Sequence, residues 1–298
     1  YIVGTLPFSE IDKAYKGYRY AINLNSIKQS QTMFARRVYE LLGCNTITVS
    51  NFSRGVRLLF GELVVTSDNG EEIVSRLQEL ESNPEKAEKF RLAGLRKILS
   101  EHTYRARFDY IRSKVTNKRH EHPLPDYTVV SLVDSAQELS NTLDNVVRQQ
   151  HEPARLVVVT RAGITVADAE AQLGQLPESI GTECLSMASL ESKALKRLAK
   201  MGSWLAAFSP NDYYGPNYLL DMALATRFTE APIIGKAAHY QAVSQGIHQR
   251  YADQAYRADT KLPLRAAVLA PNMQLGQASA WVKNIETANY TSVHQQAF

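Results

Sequence analysis

The stretch TVVSLVDSAQEL, residues 128–139, identifies the fold class. Its first six residues, Thr128–Val133, are mainly β-branched or aliphatic and predict a buried strand. Ser135 and Glu138 stand three residues apart, the spacing of a capping box at a helix start. The buried face of that helix is predicted to contain Leu139, Leu143, Val146 and Val147. A buried strand followed by a capped amphipathic helix is the repeating unit of α/β domains.

The same alternation continues towards the carboxyl terminus. Leu156–Val159 predicts a second strand, Glu191–Met201 a helix, and Trp204–Phe208 a third strand. This order is typical of the opening of a nucleotide-binding α/β domain. We therefore expect one such domain over residues 127–298.

The first third of the chain has its own strand and helix signals. The predicted strands are Tyr20–Leu24, Thr46–Val49 and Glu62–Val65. The predicted helices are Thr32–Leu42 ended by Gly43, a second one begun by the capping pair Asp68 and Glu71, and a third one from Pro84 to about Leu99. These elements predict a half-domain with a parallel sheet and helices packed on it.

Residues 113–126 form the best candidate linker, because they are polar and contain two prolines, Pro123 and Pro125. We expect domains over residues 1–115 and 127–298, with a linker over 116–126. A long surface loop inside a single domain is the alternative. The first residue is Tyr1, so we expect a fragment truncated at one or both ends.

Composition excludes several function classes. The 298 residues are 44% apolar and 21% charged, as in ordinary soluble domains. The two cysteines, Cys44 and Cys184, exclude a cysteine-rich zinc site and fit a reducing compartment, so we expect a cytoplasmic protein. A net charge of +4 is too small to favour nucleic acid. It suits anionic small molecules and peripheral association with the cytoplasmic face of a membrane.

The stretch FSPNDYYGPNYLLD, residues 208–221, places polar groups directly after the predicted strand Trp204–Phe208. Open α/β sheets bind ligands at the carboxyl ends of their strands. Asp212 and Asn211 are therefore candidate ligand-binding residues. The alternative is a polar turn that leads into a helix begun by Gly215 and Pro216.

The first half resembles the carboxyl-terminal lobe of two-lobed (GT-B) glycosyltransferases of the spore-maturation type in group 1. The matching segments are AINL (21–24), RRVYELLGCNTITVS (36–50) and EHTYR (101–105), within residues 10–112. The resemblance implies that Glu40 accepts hydrogen bonds from the donor ribose and that Arg36 and Arg37 meet its phosphates. A solvated helix face is the alternative for all three residues.

The second half resembles a family 2 glycosyltransferase with the GT-A fold, through TLDNVVRQ (142–149) and NDYYGPNYL (211–219), within residues 126–240. The resemblance implies a nucleotide-diphospho-sugar transferase domain. Asp212 and Asn211 would hold Mg²⁺ or Mn²⁺ against the diphosphate, and Asp134 would contact the nucleotide. The chain departs from the family pattern at Ser209 and Asn211, where acids are expected.

Together the two resemblances imply a glycosyltransferase of hexosyltransferase type. It would move a sugar from a nucleotide-sugar donor to a cell-surface polysaccharide or glycoconjugate, with a glycan or lipid-linked acceptor. Two alternatives stay open: a catalytically degenerate scaffold or glycan-binding module, and a sugar-phosphate transferase or nucleotide-sugar-modifying enzyme. The catalytic base is not identified among its formal candidates Asp221, Glu230, Asp253 and Asp259.

Overall fold

A computed structural model describes residues 4–120, 122–191, 194–199, 201–257, 261–271, 273, 276–290 and 295–297. The chain divides into two compact units, Tyr1–His122 and Pro123–Phe298. Within the described ranges, no helix has both the length and the apolar content that crossing a membrane requires.

Unit 1 is a parallel three-stranded sheet with helices. Its elements are α1 Ile11–Gly17, β1 Tyr20–Asn23, α2 Arg37–Gly43, β2 Ile47–Ser50, α3 Arg54–Phe60, β3 Val65–Thr66, α4 Gly70–Ser82, α5 Pro84–Glu101 and α6 Tyr104–Thr116. The strand order is β1-β2-β3, and both pairs are parallel. Parallel pairing explains why a helix follows each of the first two strands, since a crossover must return the chain to the same edge.

Helix α2 supplies much of the core of unit 1. Its apolar side chains at Val38, Leu41 and Leu42 are buried. Burying such a side chain stabilises a fold by about 1.5–3 kcal/mol. A Cβ added to Gly94 of α5 would lie 2.8 Å from a Leu42 methyl group, so a larger residue there would make the Leu42 side chain shift.

Three predicted elements of unit 1 differ in the structure. Helix α2 starts at Arg37 rather than at Thr32, because Ser30 Oγ accepts from the amides of Thr32 and Met33 and holds this segment in a turn. The third strand is reduced to Val65–Thr66, since a 3-10 turn occupies Gly61–Leu63.

The predicted capping residue of α4 is also wrong. Asn69 caps α4, with Oδ1 accepting from the Glu71 amide at 2.9 Å. Asp68 instead accepts from the Phe52 amide and pairs with Lys28.

Unit 2 is built around a seven-stranded sheet. Its elements are β4 Tyr127–Val133, α7 Ala136–Val147, β5 Arg155–Thr160, α8 Val166–Leu173, β6 Gly181–Ser186, β7 Trp204–Phe208, α9 Tyr218–Ala225, β8 Ile233–Gly235, β9 His239–Val243, β10 Gly246–Arg250, β11 Leu262–Pro263, β12 Ala267–Leu269, α10 Ala278–Lys283, β13 Asn289–Tyr290 and β14 Gln295–Ala297. The sheet order is β14-β8-β12-β7-β4-β5-β6, and β12 is antiparallel to both neighbours.

The centre of this sheet is buried. Every residue of β4 is buried, as expected for a central strand of a parallel sheet covered on both faces. The predicted strands at β4, β5 and β7 and the helix cap at Ser135 are confirmed, since Ser135 Oγ accepts from the Glu138 amide at 3.2 Å.

Other predictions for unit 2 are wrong. Glu191–Met201 is not one helix: Leu195–Arg197 forms a 3-10 turn, and Ala194 bridges to Gln277. The Val147 side chain is 58% exposed rather than buried. Strand β6 was missed because its sequence, GTECLS, has no aliphatic run.

Candidate functional site

The carboxyl ends of β4 and β7 border a topological switch point. The chain leaves β4 for β5 on one side, and β7 later pairs with the other side of β4. Ligands of open α/β sheets bind where neighbouring connections diverge in this way. Asp134 follows β4, and Ser209–Asp212 follow β7, so the predicted candidates of unit 2 lie at this edge.

Helix α7 and the residues just after it fix the loop that follows β7. Asn145 Nδ2 donates to the Asp212 carbonyl at 2.9 Å, and Asn145 Oδ1 accepts from the Tyr214 amide at 3.0 Å. Gln149 Nε2 donates to the Gly215 carbonyl at 3.1 Å, while its Oε1 accepts from the Leu219 amide at 3.1 Å. Polar side chains of the TLDNVVRQ stretch therefore hold the loop at its backbone.

Of the two adjacent tyrosines, one is core and one is exposed. Tyr214 is buried and stacks on Phe208 with ring centroids 3.9 Å apart. Burial raises the pKa of the Tyr214 hydroxyl well above its usual range, so it stays protonated. The Tyr213 side chain is exposed, and the Arg148 guanidinium lies 4.4 Å from its ring centroid.

A charged group of side chains surrounds the end of β7. Arg265 Nη1 lies 3.3 Å from Asp212 Oδ1. Glu286 Oε1 accepts from Asn211 Nδ2 at 2.8 Å and from Ser209 Oγ at 3.1 Å. We call these five residues the β7 cluster. Sequence reasoning missed Arg265 and Glu286, because they reach β7 through distant segments with no local motif.

The electrostatics of the cluster act on Asp212. Burial raises the pKa of its carboxyl group, Arg265 and His239 lower it, and Glu286 raises it. The net direction is upward, so desolvation and the second carboxylate outweigh the cations. The surroundings of Asp212 thus disfavour its charged form, and carboxylates with such perturbed pKa values are common at functional sites.

The side chains of the β7 cluster fit a divalent cation poorly. Within the described ranges, no three His, Cys, Asp or Glu side chains come together as a metal-binding group. The carboxylate expected to be the principal ligand, Asp212, already contacts the Arg265 guanidinium. The side-chain amide of Asn211 donates from Nδ2 to Glu286. The polar side chains of the β7 cluster are therefore already engaged with one another in charge-assisted hydrogen bonds.

Asp134 lies beside an open cavity at this edge. Its Oδ1 accepts from the Gly163 amide at 2.9 Å. A Cβ on Gly163 would stand 2.0 Å from the Asp134 carbonyl oxygen, so this approach requires glycine. An open cavity of about 370 Å³ is lined by Ala136, Ala162, Gly163, Ile164, Thr165, Asp168 and Gln172. This volume lies in the range of small-molecule sites.

The predicted donor-binding residues of unit 1 are partly engaged with one another. Arg36 Nε donates to Glu40 Oε1 at 2.8 Å, and the Tyr15 hydroxyl donates to Glu40 Oε2 at 3.3 Å. Arg37 is exposed at the first residue of α2. Both oxygens of Glu40 therefore have protein partners that a ribose would have to share or displace.

The strand ends of unit 1 carry a neutral polar network. Asn25 Nδ2 donates to Ser50 Oγ at 2.9 Å, and Asn23 Nδ2 donates to the same oxygen at 3.3 Å. Asn51 Nδ2 donates to the Asn25 carbonyl at 2.9 Å, and the Asn25 amide donates to Asn51 Oδ1 at 2.8 Å. We call these four residues the β1–β2 network.

The formal candidates for a catalytic base have different surroundings. Asp221 is buried and pairs with Lys236 Nζ at 2.8 Å, which is a structural arrangement. Glu230 and Asp253 are exposed. Asp259 lies outside the described residues. None of them is placed at the β7 cluster by a described contact.

Comparison with known families finds a match in the first part of the chain. Residues 1–113 match the model of a family described as glycosyl transferase-like. A comparison with curated proteins finds no match. The family match covers unit 1 and supports a glycosyltransferase.

Solved structures with partial similarity include two that contain nucleotide-sugars. One is the mannosyltransferase PcManGT from Pyrobaculum calidifontis with GDP-Man and Mn²⁺, at 18% identity, a TM-score of 0.32, and coverage of 44% of this chain and 42% of that one. The other is S. aureus TarS 1–349 with UDP-GlcNAc, at 9% identity, a TM-score of 0.37, and coverage of 58% and 56%.

A third similar structure is a 4-diphosphocytidyl-2C-methyl-D-erythritol synthase, at 14% identity and a TM-score of 0.28, with coverage of 56% of this chain and 82% of that one. The chain thus spans about half the length of the two proteins solved with nucleotide-sugars.

Proposed function

We propose that this chain is a glycosyltransferase that takes a sugar from a nucleotide-sugar donor. The family match over residues 1–113 carries the proposal. The geometry of unit 2 supports it independently, because a cavity and a charged cluster lie at the carboxyl edge of one sheet. Strands β7 and β5 are separated by β4, so their ends stand about 10 Å apart, which suits a nucleoside diphosphate spanning β4.

The domain organisation is part of the proposal. Residues 1–115 form a domain like the carboxyl-terminal lobe of GT-B enzymes, residues 116–126 a linker, and residues 127–298 a GT-A-like domain. The parallel sheet of unit 1 and the boundary of the compact units after His122 support this organisation. The acceptor is a glycan or lipid-linked glycoconjugate of the cell surface, and the protein works in the cytoplasm or at the cytoplasmic face of a membrane.

Each candidate residue then has a role in donor binding. The cavity beside Asp134 holds the nucleoside, and the β7 cluster with Asp212 and Asn211 meets the diphosphate. The alternative donor site is Glu40 with Arg36 and Arg37 in unit 1. Its use requires the ion pair of Arg36 with Glu40 to open.

The reaction requires positive charge near the diphosphate. The bond between the anomeric carbon and the phosphate oxygen breaks, and negative charge grows on the departing nucleoside diphosphate. A fixed positive group stabilises that charge in the transition state. A divalent cation, which the resemblance implies, would supply this charge if it were bound, although the β7 cluster fits such an ion poorly. The other source is the Arg265 guanidinium. The acceptor hydroxyl attacks the anomeric carbon and loses its proton to a base.

A second candidate function is a catalytically degenerate scaffold or glycan-binding module. It is favoured by Ser209 and Asn211, which replace expected acids and donate to Glu286. In that case the β7 cluster is a set of structural hydrogen bonds.

A donor panel separates the two functions. The full chain is incubated with UDP-, GDP- and dTDP-sugars in the presence of Mn²⁺, and the release of nucleoside diphosphate is followed. Release of nucleoside diphosphate from one class of donor by the unchanged chain, and loss of that release in Asp212→Asn, supports the glycosyltransferase. Donor binding without release supports the scaffold, and the absence of both for every donor contradicts the proposed function.

A further inference from the structure

We propose that Arg265 supplies the positive charge for the donor diphosphate, so that this chain binds nucleoside diphosphates without a divalent cation. The inference rests on the proposed function. It assigns a binding role to a residue that the resemblance does not include.

The sheet register brings Arg265 to the site. Arg265 stands two residues before β12, and β12 runs antiparallel to β7 with Val268 opposite Ala206. Because the strands are antiparallel, the start of β12 adjoins the end of β7. Arg265 therefore reaches the same sheet edge as the loop after Phe208.

A buried hydroxyl holds the Arg265 backbone in place. The Tyr214 hydroxyl donates to the Arg265 carbonyl at 2.7 Å and accepts from the Ser209 amide at 3.0 Å. Tyr214 is itself fixed by its stacking on Phe208. The Arg265 backbone is thus tied to the end of β7, which fixes the point from which its side chain extends.

The Arg265 side chain is oriented but still accessible. Asp212 holds it through one contact of 3.3 Å, and the side chain is 38% exposed. A guanidinium has five N–H donors in a planar fork, so one contact leaves donors for phosphate oxygens. Asp212 in this arrangement positions the arginine rather than a metal ion.

A second cation at Asp212 would have to displace the guanidinium or stand next to it. A metal cation and the Arg265 guanidinium would repel each other in this half-buried site, so they compete for the Asp212 carboxylate. The other carboxylate, Glu286, is held by Asn211 and Ser209. The donor set therefore favours arginine over Mg²⁺ or Mn²⁺ as the partner of Asp212.

Calorimetric titration of the full chain with UDP and with GDP tests the inference, in EDTA and in Mn²⁺. We expect one of the two nucleotides to bind in EDTA, with an affinity that Mn²⁺ changes by less than about threefold. Arg265→Gln should weaken binding by about tenfold or more, the size of one lost charge-assisted contact. Arg265→Lys, which keeps the charge but not the fork, should fall in between.

Arg155→Gln is the matched control. Arg155 is also paired with a carboxylate, that of Glu183, and is similarly exposed at 27% against 38% for Arg265. It lies at the first residue of β5, on the opposite edge of the sheet, so its substitution should leave nucleotide affinity unchanged.

The outcomes separate the inference from the proposed function. Binding that requires Mn²⁺ overturns the role of Arg265 and leaves the glycosyltransferase standing. Equal affinities of folded Arg265→Gln and the unchanged chain also overturn it. Absence of binding of both nucleotides in both conditions overturns the inference, and the donor panel, which also contains dTDP-sugars, then decides the proposed function. If Arg265→Gln does not fold, the effect of Mn²⁺ on the nucleotide affinity of the unchanged chain still decides whether binding needs a divalent cation.

Discussion

The β1–β2 network and the β7 cluster occupy equivalent places in two different sheets. Both lie at the carboxyl ends of parallel strands, where α/β proteins bind ligands. The β1–β2 network consists of neutral side chains that hydrogen-bond one another, and Asn23, Asn25 and Ser50 in it are buried. The β7 cluster contains charges, and Asp212 and Arg265 in it are 34% and 38% exposed.

This difference distinguishes polar side chains that stabilise the fold from polar side chains that remain available to bind a ligand. The side-chain donors of the buried neutral network bond within the network, which adds rigidity and offers no charged donor to an anionic ligand. The Asn23 Oδ1 acceptor has no hydrogen-bond partner among the described residues. A half-exposed cluster with arginine and carboxylates keeps donors for an anionic ligand. We therefore expect changes in the first network to alter stability and changes in the second to alter binding.

The largest expected effect is proteolytic cleavage of the segment that joins the two units. Trypsin at low concentration should first cleave the full chain after Lys118 or Arg119, both exposed beyond the end of α6. The products should be two fragments that resist further cleavage, since folded domains protect their own sites. Mass spectrometry identifies the cut. First cleavage inside either unit would contradict two separate domains.

The next largest effect is expected at the buried charge pair of unit 2. Lys236→Met removes the ammonium group that faces Asp221, whose side chain is 2% exposed. We expect a loss of about 3 kcal/mol in the free energy of unfolding, because a buried carboxylate loses a cation partner. Chemical denaturation measures it. A smaller loss in Lys236→Met combined with Asp221→Asn is the control, and an unchanged midpoint for the single variant would refute the structural role.

A smaller loss of stability is expected in the β1–β2 network. Asn25→Ala removes an acceptor of the Ala35 amide and a donor to Ser50. We expect about 2 kcal/mol of lost stability, because buried polar partners are left unpaired. Nucleotide affinity should not change. A weakened affinity in a folded Asn25→Ala variant would show that the distinction between the two polar edges does not hold.

The smallest effect on stability is expected at Asp212. The folded state raises the pKa of this carboxyl group above its ordinary value of 3.8 and so binds its proton more tightly than the unfolded chain. Its contribution to stability is therefore present below pH 3.8 and is lost as pH rises from there through the raised pKa.

Asp212→Asn removes this titration, and the half-exposed ion pair is worth under about 1 kcal/mol. Relative to this variant, the unchanged chain should lose stability as pH rises through that window. Denaturation at several pH values measures the difference, and a difference that grows in favour of Asp212 with rising pH would be inconsistent with a raised pKa.

The sequence predicts those parts of the fold that depend on local pattern. Strands β4, β5 and β7 are aliphatic runs, and the cap of α7 is a short-range side-chain contact, so both follow from neighbouring residues. The start of α2 does not follow from neighbouring residues. The Asn25 and Ser30 side chains accept hydrogen bonds from the backbone amides of residues that helix propensity alone would place in a helix.

The candidate site was predicted in part for the same reason. Asp134 directly follows β4, and Asn211 and Asp212 lie in the loop after β7, so their position at the sheet edge could be predicted. Arg265 and Glu286 reach that edge only through the antiparallel return of β12 and the turn after α10. Such placement depends on tertiary topology, and no spacing in the sequence reports it.

The most direct test of the central claim is hydrogen–deuterium exchange of the full chain with and without the nucleoside diphosphate that binds. Amides in an ordered ligand site open less often when the ligand is bound. The account predicts slower exchange in the peptides that contain Ser209–Asp212 and Arg265, with no change at Arg36–Gly43. Slower exchange at Arg36–Gly43 without a change at Ser209–Asp212 would place the donor in unit 1 and contradict the account.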